Sequence, residues 1–580
     1  MRRFEAVWLL LLSTTLQTGA SAGTEFVSSS NAHWWENAIV YEVYPRSFQD
    51  SNGDGIGDLN GITRRLDYLK DLGVDAIWIA PMYPSPQVDF GYDISNFESI
   101  DPQYGTLADF DRLNEEAQKR GIRVLIDFVP NHTSDHHPWF LDARSSRQSS
   151  HRDWYVWSDG KRGPNGEPAP PNNWVTYFGG AAWEWDSKTS QFYYHAYYKE
   201  QPDLNWRDIA VQKAMFDVMR FWLDRGVGGF RLDSIPDLFE DKKLRDDPAV
   251  KAGQIEPEQR IFTTNRPEVH AIVRKMRALL DSYPGDRVLI GETSLPNIRD
   301  MDRWYGGAAH NELQLPMDSQ VGYVDKLDAT KFKHLLTEIY TQVHGSEPLF
   351  YIDCHDSDRS WDRYGDGNHN QDIAKLMAAV LLTSKATVIL YQGQEIGQVT
   401  SKPTRLEDVK DPVGKTRWPT NVGRDGERTP MQWDDSAQAG FSTNLETWLP
   451  VSANYRTVNV KTELHEPKSL LNWYRQLISL RRTHGPLRNG AVTLLDGQPP
   501  EVLAYTRTDK AGEAVLIGLN MSSSAKKLLL KGVAQIPGAK ELRTLLTNPL
   551  APTVESKDDV ELPPFGVWIA AYTKSVGALQ

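Results

Sequence analysis

Four short apolar runs carry charged residues at or near their ends. "DFVPNH" opens on Asp127 and ends in Asn131-His132. "GFRLDS" ends in Arg231-Leu232-Asp233-Ser234, "RVLIGET" in Glu292-Thr293, and "LFYIDCHDSD" contains His355-Asp356. Charges closing runs otherwise built for burial are costly to place there for stability alone. The carboxylates Asp233, Glu292 and Asp356, with Arg231, His132 and His355, suit cleavage of a glycosidic bond. One carboxylate must trap an oxocarbenium-like centre, and one carboxylic acid must protonate the departing oxygen. No redox cofactor and no nucleophilic thiol is needed. Asp233 stands beside Arg231, whose charge is expected to lower its pKa, as suits a nucleophile. Glu292, in an apolar run near other carboxylates, is expected to have a raised pKa, as suits an acid. Asp127 is read as a brace for its strand end.

These residues must converge, and the pattern of elements says how. Eight β-branched runs ("IVYEVYP", "AIWIAP", "RVLIDFVPN", "GFRLDS", "RVLIGET", "NELQLPMD", "LFYIDCHDSD", "TVILYQGQEIG") alternate with amphipathic helical stretches. One of these, "GITRRLDYLKDLG", places Ile62, Leu66, Leu69 and Leu72 at helical spacing with Gly73 as a stop. The fold class is therefore α/β: a (β/α)₈ barrel, whose chemistry gathers at the C-terminal ends of its strands. Residues 33–131 and 206–485 make the barrel, and 132–205, rich in Trp, Asn, Pro and Gly, an inserted lobe after strand 3. A structureless loop that long inside a compact domain is improbable. From 486 to 580 short strands with turns between them predict a C-terminal all-β sandwich domain.

Composition narrows the partners. A net charge of -13 argues against nucleic acid and against an anionic membrane. The 19 tryptophans and 23 tyrosines supply both core and flat platforms for sugar rings. Residues 1–22 read as a signal peptide: a basic "MRRFEA", an apolar "VWLLLLSTTL" and small residues up to Ala22. The mature product is expected to be secreted or periplasmic, unanchored, with no membrane-spanning helix. Cys354, the single cysteine, cannot form an internal disulfide and is read as a small buried residue. "HHPW" at 136–139 has no third metal ligand at suitable spacing, and "NMS" at 520–522 is at most a glycosylation acceptor in a eukaryotic host.

"DSNGDGIGDLNG" (50–61) resembles a calcium loop, with Asp50, Asn52, Asp54, the Ile56 carbonyl and Asp58 as oxygen donors. An EF-hand would close with a bidentate Glu at position 12, where Gly61 stands. A sensor is excluded. A hard cation clamping the first strand–helix turn and a metal-free Asp/Asn/Gly turn both stay open.

"DFVPNH", "GFRLD", "GET" and "HD", in this order, resemble the α-amylase superfamily, glycoside hydrolase family 13. "QPDLN" at 201–205, "RTPMQW" at 428–433 and "DFGYD" at 89–93 are similar to its oligo-1,6-glucosidase and α-glucosidase (maltase) branch. The resemblance implies Asp233 as nucleophile, Glu292 as acid/base and Asp356 as the third carboxylate. It implies that His132, Arg231 and His355 bind the glucose at the cleavage point, that Asp89 and Tyr92 hold and stack it, and that Arg424 closes the pocket; Phe178 borders it. The family retains anomeric configuration, which implies a carboxyl separation of ~5–5.5 Å. It also implies a structural Ca2+ in the 50–58 loop, remote from the carboxylates, and no organic cofactor.

Two residues depart from relatives. Cys354 stands where many have Asn before the His-Asp pair, and Ser234 where a Val goes with α-1,6 preference and a smaller residue with α-1,4. The implied activity is an exo-acting, retaining α-glucosidase on maltose and short malto-oligosaccharides, α-1,4 over α-1,6. Alternatives are glucosyl transfer, or maltose/trehalose isomerisation, at the same site, and a non-catalytic transporter partner or receptor. Small α-glucosides are the expected partners; monomer and dimer both stay open.

Overall fold

The computed structural model describes residues 25–26, 33–248, 260–293, 297–317, 320–343, 345–530, 539–554 and 558–574. The expected signal peptide lies outside the described residues. Eight strands close into a barrel: β1 (Ile39–Val43), β2 (Ala76–Ile79), β3 (Arg123–Phe128), β4 (Gly229–Leu232), β5 (Val288–Glu292), β6 (Leu315–Met317), β7 (Leu349–Phe350) and β8 (Thr387–Tyr391). Each pairs in parallel with the next in the chain, and β8 returns to β1.

Strand side chains alternate between two faces. Val40, Ala76, Trp78, Leu125, Val288, Ile290, Leu315, Leu349 and Ile389 pack together inside the barrel. Their neighbours Ile39, Tyr41, Ile77, Val124, Phe230 and Leu289 join the larger layer beneath the helices. The same two-residue step, carried towards the C-terminal ends, reaches Glu42, Asp127, Arg231, Asp233 and Glu292. The barrel interior is thus apolar at one end and charged at the other. Gly229 begins β4 because a Cβ there would lie 2.0 Å from the Val288 carbonyl oxygen.

The outer ring comprises α1 (Leu59–Arg64), α2 (Leu66–Leu72), α3 (Leu107–Lys119), α4 (Ile209–Asp224), α5 (Val269–Asp281), α6 (Ala329–Gln342), α7 (Asn370–Thr383) and α8 (Leu470–Thr483), with shorter helical turns between. The stretch read as one helix after β1 is two. Arg65 breaks it at φ -103°, ψ 5°, where its Nε donates to Gln49 Oε1 at 2.6 Å and its guanidinium lies 4.0 Å from the Trp433 ring centre. Gly73 ends α2 at φ 97°.

Between β3 and α4 the chain builds a small antiparallel sheet, 157–158, 191–194 and 183–186 in spatial order. Trp174, Trp183, Phe192 and Tyr194 form its own core, and bridges His132–Asp203 and Tyr155–Leu204 bring its two ends together. Beyond α8 the strands 491–494, 502–508, 514–520, 567–574 and 539–548 form one antiparallel sheet, and 526–529, 559–562 and 553–554 a second. Leu516, Leu528, Val560, Leu562 and Trp568 fill the space between them. Asn520 of the "NMS" triplet is fully buried, and its amide donates to the Ser524 and Pro563 carbonyls; it is no glycosylation acceptor. No helix among the described residues is long and apolar enough to cross a membrane.

Candidate active site

A cavity of about 350 Å³ opens at the C-terminal ends of the strands, within the range of small-molecule sites. Asp89, Tyr92, His132, Phe178, Asp233, Glu292, Asp356 and Arg424 line it. Arg231 and His355 do not. Both are buried at its floor and hold the carboxylates above them.

Arg231 is the centre of the floor. Register places it opposite Asp127 of β3 and Ile290 of β5. Its Nη1 donates to Asp127 Oδ1 at 3.1 Å and to Asp233 Oδ1 at 2.6 Å, and its Nη2 lies 2.9 Å from Glu292 Oε2. Both reacting carboxyls therefore grip one guanidinium. Ser234, in the left-handed region at φ 48°, ψ 30°, joins them again. Its backbone N–H donates to Glu292 Oε2 at 3.0 Å and its hydroxyl to Asp233 Oδ2 at 2.8 Å. Both contacts to Glu292 use Oε2, and 31% of its side-chain surface is open.

The electrostatics differ from the sequence expectation at one residue. Burial pushes Asp233 up to about 6; Arg231 opposes this and Asp127 adds to it. A lowered value was expected from Arg231 alone, but that one positive charge is shared among three carboxylates. Glu292 is raised as expected, to about 7, by burial, with Arg231 opposing and Asp233 and Asp356 adding. Burial also raises Asp356, but His355, Arg424 and Arg428 together hold it well below the usual carboxylate range.

His355 lies between two carboxylates and two aromatic rings. Its Nδ1–H donates to Glu42 Oε1 at 2.5 Å, and its Nε2 faces Asp356 Oδ2 at 3.2 Å and the Tyr92 hydroxyl at 2.8 Å. Tyr44 and Tyr92 stack on it at 5.6 and 5.5 Å. Burial alone would lower its pKa; Asp356 and Glu42 raise it to about 9, so it is an imidazolium at neutral pH. Burial lowers His132 to about 4; it is neutral, with Nε2–H donating to the Tyr92 carbonyl at 3.2 Å and Nδ1 accepting from Asn131 at 3.3 Å.

Arg424 closes one end. Its Nη2 donates to Asp89 at 2.8 Å, its Nη1 to Asp356 at 3.0 Å and its Nε to Asp411 at 2.8 Å. Its guanidinium lies 5.5 Å from the Phe178 ring centre. Arg428 adds 2.7 Å to Asp356 Oδ1 and 2.8 Å to the His355 carbonyl.

Sequence reasoning missed Glu42, Asp411 and Arg428, and also Gln201 and Tyr197, which line the cavity, the Gln201 amide donating to Asp89 at 3.2 Å. Glu42 carried a signal, as the one acid inside the apolar β1 run. Arg428 and Gln201 lie in motifs already singled out, "RTPMQW" and "QPDLN". Asp411 carried none. Asp127 is the brace it was read to be, also accepting from Tyr92 and Trp78 at 3.1 and 3.2 Å. Cys354 is buried, its Sγ 3.4 Å from the Ser357 hydroxyl, and burial pushes the thiol up, away from reactivity. His137 caps the helix Pro138–Ala143 through Nδ1.

The 50–58 loop packs elsewhere, against residues 441–448, and none of its residues lines the cavity. Asp50 organises it, accepting from the Asn52, Gly53 and Gly55 N–H groups and the Ser442 hydroxyl. Asp58 caps α1 through the Gly61 N–H. Asp54 accepts from the Ile56 N–H, and Asn52 Oδ1 from the Asp54 N–H. The donors are all oxygens, the chemistry a calcium ion requires. Among the described residues no three acidic, histidine or cysteine side chains converge as a cage, so a cation there would need the Asn52 and Ile56 oxygens.

Residues 42–490 match the family model "Alpha amylase, catalytic domain". A probable alpha-glucosidase of Rhizobium meliloti is 38% identical over 93% of this chain and 97% of its own. The oligo-1,6-glucosidase of Parageobacillus thermoglucosidasius is 38% identical over 84% and 90%. Among solved structures, the alpha-glucosyl transfer enzyme XgtA superposes with a TM-score of 0.85 at 37% identity, over 94% of this chain and all of that one.

Replacing Asp127 by Asn removes a negative charge next to Asp233. The acid limb of the kcat/KM profile is expected to move to lower pH by about half a unit to one unit. An unmoved or raised limb in D127N contradicts the charge balance described.

Proposed function

The chain belongs to the α-amylase family of glycoside hydrolases and is an α-glucosidase, and from that premise we propose that it is exo-acting and retaining, removing single glucose units from maltose and short malto-oligosaccharides, α-1,4 ahead of α-1,6. The observation that carries this is the sharing of Arg231 by the Asp233 and Glu292 carboxyls in a cavity ended by the Arg424–Asp89 ion pair. That pair walls one end of the cavity, as an exo-acting pocket requires. The small Ser234 beside the nucleophile supports the α-1,4 preference.

Glu292, protonated, gives its Oε1 proton to the glycosidic oxygen as that bond breaks. Asp233 attacks C1 and forms a glycosyl ester. Glu292, now charged, takes a proton from water as the water attacks C1, and the electron pair of the ester bond returns to Asp233. Asp356, held ionised by two arginines and the His355 imidazolium, supplies a fixed negative charge towards the oxocarbenium-like centre. Transfer of the glucosyl group to a second sugar uses the same first half; the alpha-glucosyl transfer activity in the name of XgtA supports keeping that reading second.

We also propose that the 50–58 loop takes calcium through Asp50, Asn52, Asp54, Asp58 and the Ile56 carbonyl, and that residues 1–22 direct export.

Maltose digestion should release glucose of retained α configuration, and isomaltose should be cut more slowly. Fast starch depolymerisation with little free glucose would count against a closed pocket. The kcat/KM profile should be bell-shaped: activity falls as pH drops through about 6, where Asp233 protonates, and as pH rises through about 7, where Glu292 ionises. D233N should fold normally and lose on the order of 10³-fold or more in kcat; near-normal turnover would mean another nucleophile. Chelation should lower Tm and leave kcat at 25 °C nearly unchanged, and calorimetric titration with calcium should saturate; no heat and no Tm shift rejects the ion. Sequencing of the exported protein should start near Gly23, and an intact Met1 rejects export by cleavage.

A further inference from the structure

Ser234 has a part that its size does not explain. Its hydroxyl donates to Asp233 Oδ2 at 2.8 Å, the oxygen that Arg231 leaves free, while its N–H holds Glu292 Oε2 at 3.0 Å. An aliphatic side chain at this position would keep the N–H contact and lose the hydroxyl contact. The residue also sits in the left-handed region, at φ 48°, a conformation costly for a non-glycine residue and kept where the surroundings enforce it.

We propose that Ser234 is a positioning residue whose hydroxyl fixes the Asp233 carboxylate and favours its charged state, so that it speeds the breakdown of the glycosyl ester more than its formation. This rests on Asp233 being the nucleophile. In the first half-reaction the carboxylate loses its charge as its oxygen bonds to C1, and a hydrogen bond to the charge opposes that loss. In the second half the C1–O ester bond breaks with water attacking C1, the electron pair returns to the carboxylate, and the same hydrogen bond assists. A hydrogen bond to a charged group is worth enough to be read in rates.

The groups around Asp233 are Arg231 on its own strand, Asp127 from β3, Glu292 from β5, Tyr92 from the segment after β2, Tyr197 from the inserted lobe and Asp356 across the cavity. None of these changes when the hydroxyl alone is removed, which makes the pH profile a clean readout.

The test compares S234A, S234G and S234T on an aryl α-glucoside. S234A and S234G both lose the hydroxyl but differ in backbone strain; S234T restores it. In S234A and S234G the acid limb of kcat/KM should rise by about one pH unit, and kcat should fall about 10-fold with a parallel fall in KM as the glycosyl-enzyme accumulates. Pre-steady-state bursts should appear or grow. S234T should keep the wild-type limb. An unmoved limb in both hydroxyl-free variants overturns the proposal, as does S234T behaving like S234A, or kcat and kcat/KM falling equally. Failure of the nucleophile assignment is separate: it appears as turnover in D233N.

Discussion

One guanidinium organises this site. Arg231 is buried, and it carries a single charge against Asp127, Asp233 and Glu292. Three ionised carboxylates around one cation cannot all be stable in a dry floor, so the site relieves itself by holding a proton. That proton resides on Glu292, which burial raises to about 7 and which is the most open of the three to the cavity. The acid and the nucleophile are thus assigned by an arithmetic of charge, and the assignment needs no feature of the substrate. A second guanidinium shortage would ruin the arrangement, and the protein avoids one at Asp356. That carboxylate faces three cations, Arg424, Arg428 and the His355 imidazolium, and it stays charged even though Arg424 also serves Asp89 and Asp411 and His355 also serves Glu42.

Much of this was legible in the sequence because β-strand periodicity is strict. Once β4 is read as apolar at Phe230 and Leu232, the alternate positions Arg231 and Asp233 must face inward together, and the same holds for Ile290 and Glu292 on β5. The lobe was legible from the length and composition of 132–205. The magnitude of charge sharing was not. Adjacency in sequence gave Arg231 to Asp233, and only strand register reveals that Asp127 and Glu292 compete for it.

Contacts across long separations were equally hidden. Asp411 lies in a helix cap, accepting from Val413 N–H, and nothing in "KDPVGK" connects it to an arginine in the pocket wall. The break at Arg65 escaped notice because the apolar spacing of "GITRRLDYLKDLG" runs through it; the interruption comes from Gln49 and Trp433, which no local pattern can announce. In the C-terminal domain no local pattern marks the strand at 539–548, for a related reason: its run "AKELRTLLTN" mixes charges with two register irregularities and lacks clean alternation.

The end wall of the cavity has a bearing on how the chain matures. Phe178 comes from the lobe, Asp89 from the segment after β2, and Arg424 from the stretch beyond β8. During synthesis from the N-terminus, the nucleophile and the acid leave the ribosome long before the arginine that walls them in. In a growing chain these carboxyls lack their sugar-sized enclosure until the stretch that carries Arg424 has docked. Activity in this molecule doubles as a report that the whole barrel has closed.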